Sequence, residues 1–282
     1  MRTKHPIPNG FRNMNSKDEG CISFVKACAL GNDFVIVSEN VSDDQKELSA
    51  LSKKLADRRW GIGCDQAIYV RPTDDVHVYQ IRFFNADGSE AEACGNGSRC
   101  VAKLLIQQHN LKGAVLQTAG GTLDCNLLDD GTVSVILPKP VCVKTVDLKH
   151  GEGYAVFVDV GNPHLVCFVD DITVSEKLEA ILETYLHEID PSMPPRVNVG
   201  FAKVVDRHTL LLNVWERGAG FTQACGTGAC AALAAGQAHG LVEQTVHVHQ
   251  KGGPLIIQLN EQHLILQGEA HLIYNGAISI LD

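Results

Sequence analysis

Residues 84–97, FNADGSEAEACGNG, and residues 215–228, WERGAGFTQACGTG, align without a gap. Cys94 and Cys225 stand 131 positions apart, and so do Asn85 and Glu216. A second pair of segments, Gly31-Asn32-Asp33-Phe34 and Gly161-Asn162-Pro163-His164, repeats at an offset of 130. Two landmarks in nearly one register predict a duplicated architecture. Each half presents A-C-G-[N/T]-G from an equivalent place.

The flanking pattern supports the duplication. Ser42 to Gln45 reads as a capping box, followed by Leu48, Leu51 and Leu55 on one helical face. Its counterpart starts at Ser175, with Leu178, Ile181, Leu182 and Tyr185 on one face. Segments 67–71, 76–84, 132–137, 154–160, 164–169, 209–215 and 245–250 are short, apolar and often β-branched, so they read as strands. Each A-C-G-x-G leads into a helical stretch, SRCVAKLLIQQHN or ACAALAAGQAHG, the second stopping at Gly240. The second stretch has almost no polar face, and a helix apolar all round must be enclosed. The expected fold is α+β, with two pseudo-symmetric lobes, each a mixed or antiparallel sheet wrapped around a central helix. The site falls in the cleft between them. Residues 1–20 read as a mobile polar extension, 21–138 as the N-terminal lobe and 139–270 as the C-terminal lobe, with Pro138-Lys139-Pro140 at the hinge.

Composition narrows the function. The chain has 282 residues, 24 basic and 33 acidic, for a formal charge of −9, and 45% are apolar. That is ordinary globular composition. With no Lys/Arg run longer than two, a nucleic-acid partner is not expected. No apolar stretch approaches the ~18 residues of a membrane span. P-loop and dinucleotide fingerprints are missing from the sequence, and no C-x-x-C occurs among its ten cysteines. His247 and His249 alternate along a strand without further ligands nearby in sequence, so no metal is expected. The polar N-terminus lacks a signal-like apolar core, which predicts a cytoplasmic, reducing setting.

Most cysteines are small core hydrophobes, and Cys28, Cys100, Cys125, Cys142, Cys167 and Cys230 read that way, with Cys64 structural. The glycine context sets Cys94 and Cys225 apart. A thiol of pKa near 8.5 is about 3% ionised at pH 7, and bringing it to half costs about 2 kcal/mol. A helix N-terminus supplies much of that, and its N–H groups cradle a carboxylate. Inverting a carbon centre needs a base on one face and an acid on the other. Two duplicated lobes closing on a substrate place a thiol on each face, with shared carboxylate nests to steady the carbanion.

The segments LGNDF (30–34), RRWGIGCDQ (58–66), FFNADGSEAEACGNGSRC (83–100), GNPH (161–164), RVNVGF (196–201) and WERGAGFTQACGTGACA (215–231) closely resemble those of the diaminopimelate epimerases. The resemblance implies cofactor-independent interconversion of LL- and meso-diaminopimelate, for lysine and peptidoglycan precursor synthesis, without pyridoxal phosphate. It implies that Cys94 and Cys225 are base and acid, and that His164 and Glu216 assist them. Gly95-Asn96 and Gly226-Thr227 then form the carboxylate nests, and Asn32 and Gln66 line the reacting end. Asn85, Asn162, Asn198, Glu216 and Arg217 bind the distal amino-acid end. By the same analogy the last strand, 271–282, returns to the first lobe and the protein forms a homodimer. Cys64 and residues 1–20 depart from the pattern. The rival readings are a proline-type racemase of the same superfamily, which gives Arg217 and its asparagines nothing to bind, and a redox-sensing thiol protein.

Overall fold

A computed structural model describes residues 21–38, 41–147, 154–172, 197–217 and 219–279. The helix read from Ser175 lies outside them, as does the extension 1–20. The described chain is α+β, and its two halves repeat one strand order.

In the N-terminal lobe, β1 (Cys21–Ala29) pairs antiparallel with β2 (Asn32–Val37), and β2 runs parallel to β3 (Gln66–Pro72). Next come β4 (Val78–Asn85), which also holds the two-residue β5 (Glu90–Ala91), then β6 (Gly113–Thr118), β7 (Gly121–Leu127) and β8 (Val133–Leu137). The C-terminal lobe runs β10 (Tyr154–Asp159), β11 (Pro163–Phe168), β12 (Asn198–Asp206) and β13 (Thr209–Glu216) with β14 (Gly220–Phe221), then β15 (Thr245–Gln250), β16 (Gly253–Leu259) and β17 (Leu264–Gly268). The parallel pairs recur where the repeat places them: β2 with β3 matches β11 with β12, and β4 with β6 matches β13 with β15.

Two further strands complete the correspondence. β9 (Cys142–Asp147) pairs with β10, and β18 (His271–Ser279) returns to pair with β1. The lobes share one antiparallel junction, β8 against β17.

Each sheet wraps one helix. α2 (Gly95–His109) is buried from Asn96 through Ala102 and packs on β1, β6, β7 and β8. The helix Gly226–Ala238, here α3, is buried from Gly228 through Gly236 and packs on β10, β11, β12 and β16. The all-apolar α3 is enclosed as its sequence requires, and Gly240 follows it at φ +66°. α1 (Gln45–Ala56) covers the outer face of β3 and β4. Its cap differs from the capping-box reading. Asp44, not Ser42, accepts from Lys46 N–H and Glu47 N–H, while Ser42 Oγ accepts from Asp44 N–H. A carboxylate at the helix start outcompetes a hydroxyl two residues earlier.

Cys64, Cys100, Cys125, Cys167 and Cys230 are buried, but Cys142 is exposed on the edge strand β9 and Cys28 is only half-buried. Among the described residues β9 pairs with β10 alone and residues 142–145 are all exposed along it, which overrides the general preference of cysteine for the core. Among the described residues no helix is long and apolar enough to cross a membrane.

The lobes interlock at the β1–β2 turn. Leu30, at φ +54°, is buried in the core of the other lobe, among Val158, Cys225 and Leu255. Gly252 lets it in: a Cβ there would fall 2.0 Å from Leu30 O. The neighbour is backbone and has nowhere to rotate. Gly252→Ala should therefore destabilise the protein by about 1–3 kcal/mol or more in urea unfolding. An unchanged midpoint would mean that the turn does not seat against Gly252.

Candidate active site

The two repeats converge because both lobes deliver residues from the same ends of equivalent elements. Asn32 opens β2, Gln66 opens β3, Asn85 closes β4 and Cys94 caps α2. In the other lobe Asn162 precedes β11, Asn198 opens β12, Glu216 closes β13 and Cys225 caps α3. The two helices touch one another.

Each cysteine sits in extended backbone at its N-cap, at φ −148° for Cys94 and φ −128° for Cys225. Cys94 Sγ accepts from Gly97 N–H at 3.4 Å and donates to Asn32 Oδ1 at 3.8 Å. The buried Cys225 has Sγ 3.6 Å from Thr227 Oγ1, and its backbone N–H donates to Gln250 Oε1 at 2.7 Å. Gly97 and Gly228 are required for these junctions. A Cβ on Gly97 would meet Ile68 Cδ1 at 2.9 Å, and one on Gly228 would meet Val214 Cγ2 at 2.8 Å.

Burial is the main cause that raises both thiols, and the Glu216 carboxylate adds to it, more at Cys225 than at Cys94. Glu216 Oε1 accepts from Thr222 Oγ1 at 2.5 Å. His164 is fully buried and reaches Thr227 Oγ1 through Nε2 at 3.0 Å, so it meets Cys225 through a hydroxyl. Burial holds His164 down to about 3, an uncharged imidazole. Asn162 Nδ2 also donates to Thr227 Oγ1, at 3.4 Å, and Asn162 Oδ1 accepts from Asn198 Nδ2 at 3.1 Å. Asn198 Oδ1 accepts Arg217 N–H at 3.0 Å, which places the exposed Arg217 at the rim. Gln66 Nε2 donates to Asn85 Oδ1 at 2.8 Å, and Gln66 Oε1 is buried without a partner among the described residues. The Gln66–Asn85 pair makes no hydrogen bond to either sulfur. In the nests, a Cβ on Gly95 would meet nothing within 4 Å, whereas Gly226 lies against Leu266 Cδ1.

The resting state of the thiols is set by burial. Burial pushes Cys94 up to about 11 and Cys225 up as well, despite N–H groups at both helix starts. Desolvation of an enclosed sulfur outweighs the helix terminus, so both groups rest as S–H.

Further supporting residues were not singled out from sequence. Asp65 Oδ2 accepts from Asn32 Nδ2 at 2.8 Å and from Asp33 N–H at 2.9 Å, and Arg58 clamps Asp65 and Asp33 together. Burial alone would raise Asp33, but hydrogen bonds from Arg58 and Lys26 hold it well below the ordinary carboxylate range. Because a carboxylate only accepts, Asn32 must turn its NH₂ to Asp65 and its oxygen to Cys94. Gln250 and Thr222 hold Cys225 and Glu216 as described. No spacing rule reveals the Asp65–Asn32 and Gln250–Cys225 pairs, whose partners come from distant segments, and Thr222 and Glu216, six residues apart, meet only because the chain turns between β13 and β14.

A family model described as Diaminopimelate epimerase matches residues 24–143 and 156–273. A diaminopimelate epimerase of Nostoc punctiforme is 38% identical over 280 residues, covering 91% of this chain and 99% of that protein. One of Gluconobacter oxydans is 41% identical over 268 residues, covering 90% and 98%. Among solved structures, that of a predicted epimerase of Pseudomonas aeruginosa superposes with a TM-score of 0.69 at 16% identity, covering 91% and 99% of the two chains. A likeness at that identity shows the fold alone.

Two measurements check the electrostatics. At pH 7 iodoacetamide should modify Cys94 slowly in the substrate-free protein, with a rate rising about tenfold per pH unit from 7 to 10. A plateau below pH 8 would mean a resting thiolate. His164 is depressed in the fold, so between about pH 3 and 6.5 the unfolded chain binds the extra proton. Stability is thus full above 6.5 and falls with pH below it. His164→Gln should remove about 2–3 kcal/mol of that loss by pH 4.5. Parallel stability curves for wild type and variant would show that His164 is not held neutral.

Proposed function

This chain belongs to the diaminopimelate epimerase family, isomerases of lysine biosynthesis, and from that premise we propose a two-base reaction divided between its lobes. The substrate's reacting α-carbon lies between Cys94 and Cys225, with the LL and meso isomers as its two forms. The observation that carries the reading is geometric: two repeat-related helices that touch one another each begin at a cysteine, Cys94 on α2 and Cys225 on α3.

One cysteine acts as thiolate and takes the α-proton, becoming S–H. The electron pair left on carbon spreads into the adjacent carboxylate. The opposite thiol then delivers its own proton to the other face and becomes the thiolate. Charge is conserved, and the configuration is inverted.

The nests at Gly95-Asn96 and Gly226-Thr227 hold that carboxylate with backbone N–H groups, where preorganised donors act on charge as it develops. Both thiols rest protonated, so one must ionise after the substrate arrives. The substrate ammonium brings positive charge into a dry site, which favours the thiolate. Glu216, close to Cys225, is placed to receive the displaced proton. His164, uncharged, orients the Thr227 hydroxyl beside Cys225. Gln66 Oε1 and Asn32 Oδ1 are acceptors suited to the reacting-end ammonium. Arg217 takes the distal carboxylate in a fork, with Asn85, Asn162, Asn198 and Glu216 around the distal ammonium.

Incubation with LL-diaminopimelate in heavy water should place deuterium at one α position with epimerisation and no added cofactor. Cys94→Ala and Cys225→Ala should each lower kcat by about 10³-fold or more. Epimerisation surviving in either variant would sink the two-thiol assignment. Turnover of proline with diaminopimelate untouched would favour the racemase reading.

A further inference from the structure

Arg99 lies one turn into α2, and its side chain is 0% exposed. Taking a guanidinium out of water costs several kcal/mol, so a buried arginine ordinarily brings a carboxylate with it. Among the described residues none pairs with Arg99. Its donors go to neutral oxygens instead. Nη2 reaches Asn96 Oδ1 at 2.8 Å, Nη1 reaches Gly95 O at 3.3 Å and Nε reaches Glu269 O at 3.4 Å.

Two of those acceptors belong to the nest on α2. The third lies where the chain leaves β17 for β18 and crosses between lobes. The fold keeps room for the guanidinium, since a Cβ on Gly268 would come within 3.3 Å of Arg99 Nε. The charge sits in the seam between the helices and is felt by Cys94 and Cys100 on α2 and by Cys230 on α3.

An arginine only donates, so Asn96 must turn its amide oxygen to Arg99. What Asn96 offers elsewhere is N–H. Together with the backbone N–H groups of the helix start, this makes a nest of donors with a positive charge behind it.

We propose that Arg99 is a positioning residue of the reaction: it fixes Asn96 as a donor to the substrate's reacting-end carboxylate, and that carboxylate supplies the missing counter-charge. The inference rests on the two-base reading above and deepens it. As the α-proton leaves, negative charge grows on the carboxylate, so a buried cation behind the nest matters more in the transition state than in the ground state. Loss of Arg99 therefore affects kcat as well as KM.

The test uses the full chain with LL-diaminopimelate, comparing wild type with Arg99→Met and Arg99→Lys, and checks folding by circular dichroism and thermal melting. Arg99→Met should raise KM about tenfold and lower kcat by about 10–100-fold. The rise of kcat/KM with pH should move to higher pH in that variant. Arg99→Lys keeps the charge and should restore the profile and most of kcat. If Arg99→Met does not fold, Asn96→Asp keeps an oxygen on Arg99 while neutralising it, and should show the same increase in KM.

A folded Arg99→Met with wild-type KM and pH profile overturns the proposal, as does Asn96→Asp with wild-type KM. A lysine variant no better than methionine overturns the part played by charge. Failure of the wild-type chain to epimerise diaminopimelate would instead remove the reading beneath the proposal and leave the Arg99 geometry intact.

Discussion

The start of a helix leaves N–H groups without partners, and this fold uses that deficit twice at one place. α2 and α3 begin at a cysteine in extended backbone, a few residues after the short strands β5 and β14. The side chain of an N-cap residue turns back over the first turn, so each sulfur lies beside the donors of its own helix. Cys94 takes Gly97 N–H, while Cys225 leans on Thr227. A sulfur and an anion nest are thus inseparable products of one junction. Packing enforces the junction, because Ile68 and Phe83 close on Gly97 and Val214 closes on Gly228 so tightly that only glycine passes.

Duplication then does what a single lobe cannot. The β8–β17 pair joins the lobes into one hydrogen-bonded surface, and Leu30 plugs the core of the opposite lobe. The relative placement of the two caps is held by main-chain pairing and core packing rather than by flexible side chains. That rigidity suits chemistry on two faces of one carbon, where small misplacements carry large rate penalties.

The repeat at 130–131 residues carried the architecture legibly, because it constrains spacing as well as residue type. Helix α3 was readable for a different reason: a segment with no polar face has one physical fate. Strands such as β6 and β16 were harder, since short mixed segments in turn-rich surroundings lack a clear period, whereas β7 alternates Leu123, Cys125 and Leu127 with Asp124 and Asn126 and was legible but went unread. The support of the site was not readable at all. Asp65 and Arg58 orient Asn32, and Gln250 holds Cys225, across 25 to 33 residues of chain. Aspartate and glutamine are ordinary turn and strand residues, so their types carry no signal until the fold brings them together. The resting state of the thiols was not readable for a related reason. The helix terminus is local and visible in sequence, whereas desolvation is set by everything packed around the sulfur.

The halves match in backbone and diverge in chemistry where they meet the substrate. Asn85 and Glu216 occupy equivalent strand ends, one neutral and one acidic, whereas Asn32 and Asn162 keep the same side chain at the paired turns. Cys94 faces an amide oxygen fixed by a carboxylate, and Cys225 faces a hydroxyl and Glu216. A strictly symmetric site would bind either end of a symmetric substrate in either lobe and would favour no orientation. On the two-base reading, the asymmetric shell selects which end reacts, while the symmetric scaffold presents a sulfur to each of its faces. Binding specificity and inversion thereby come from different layers of one duplicated fold: the first from side chains that diverged, the second from helix starts that could not.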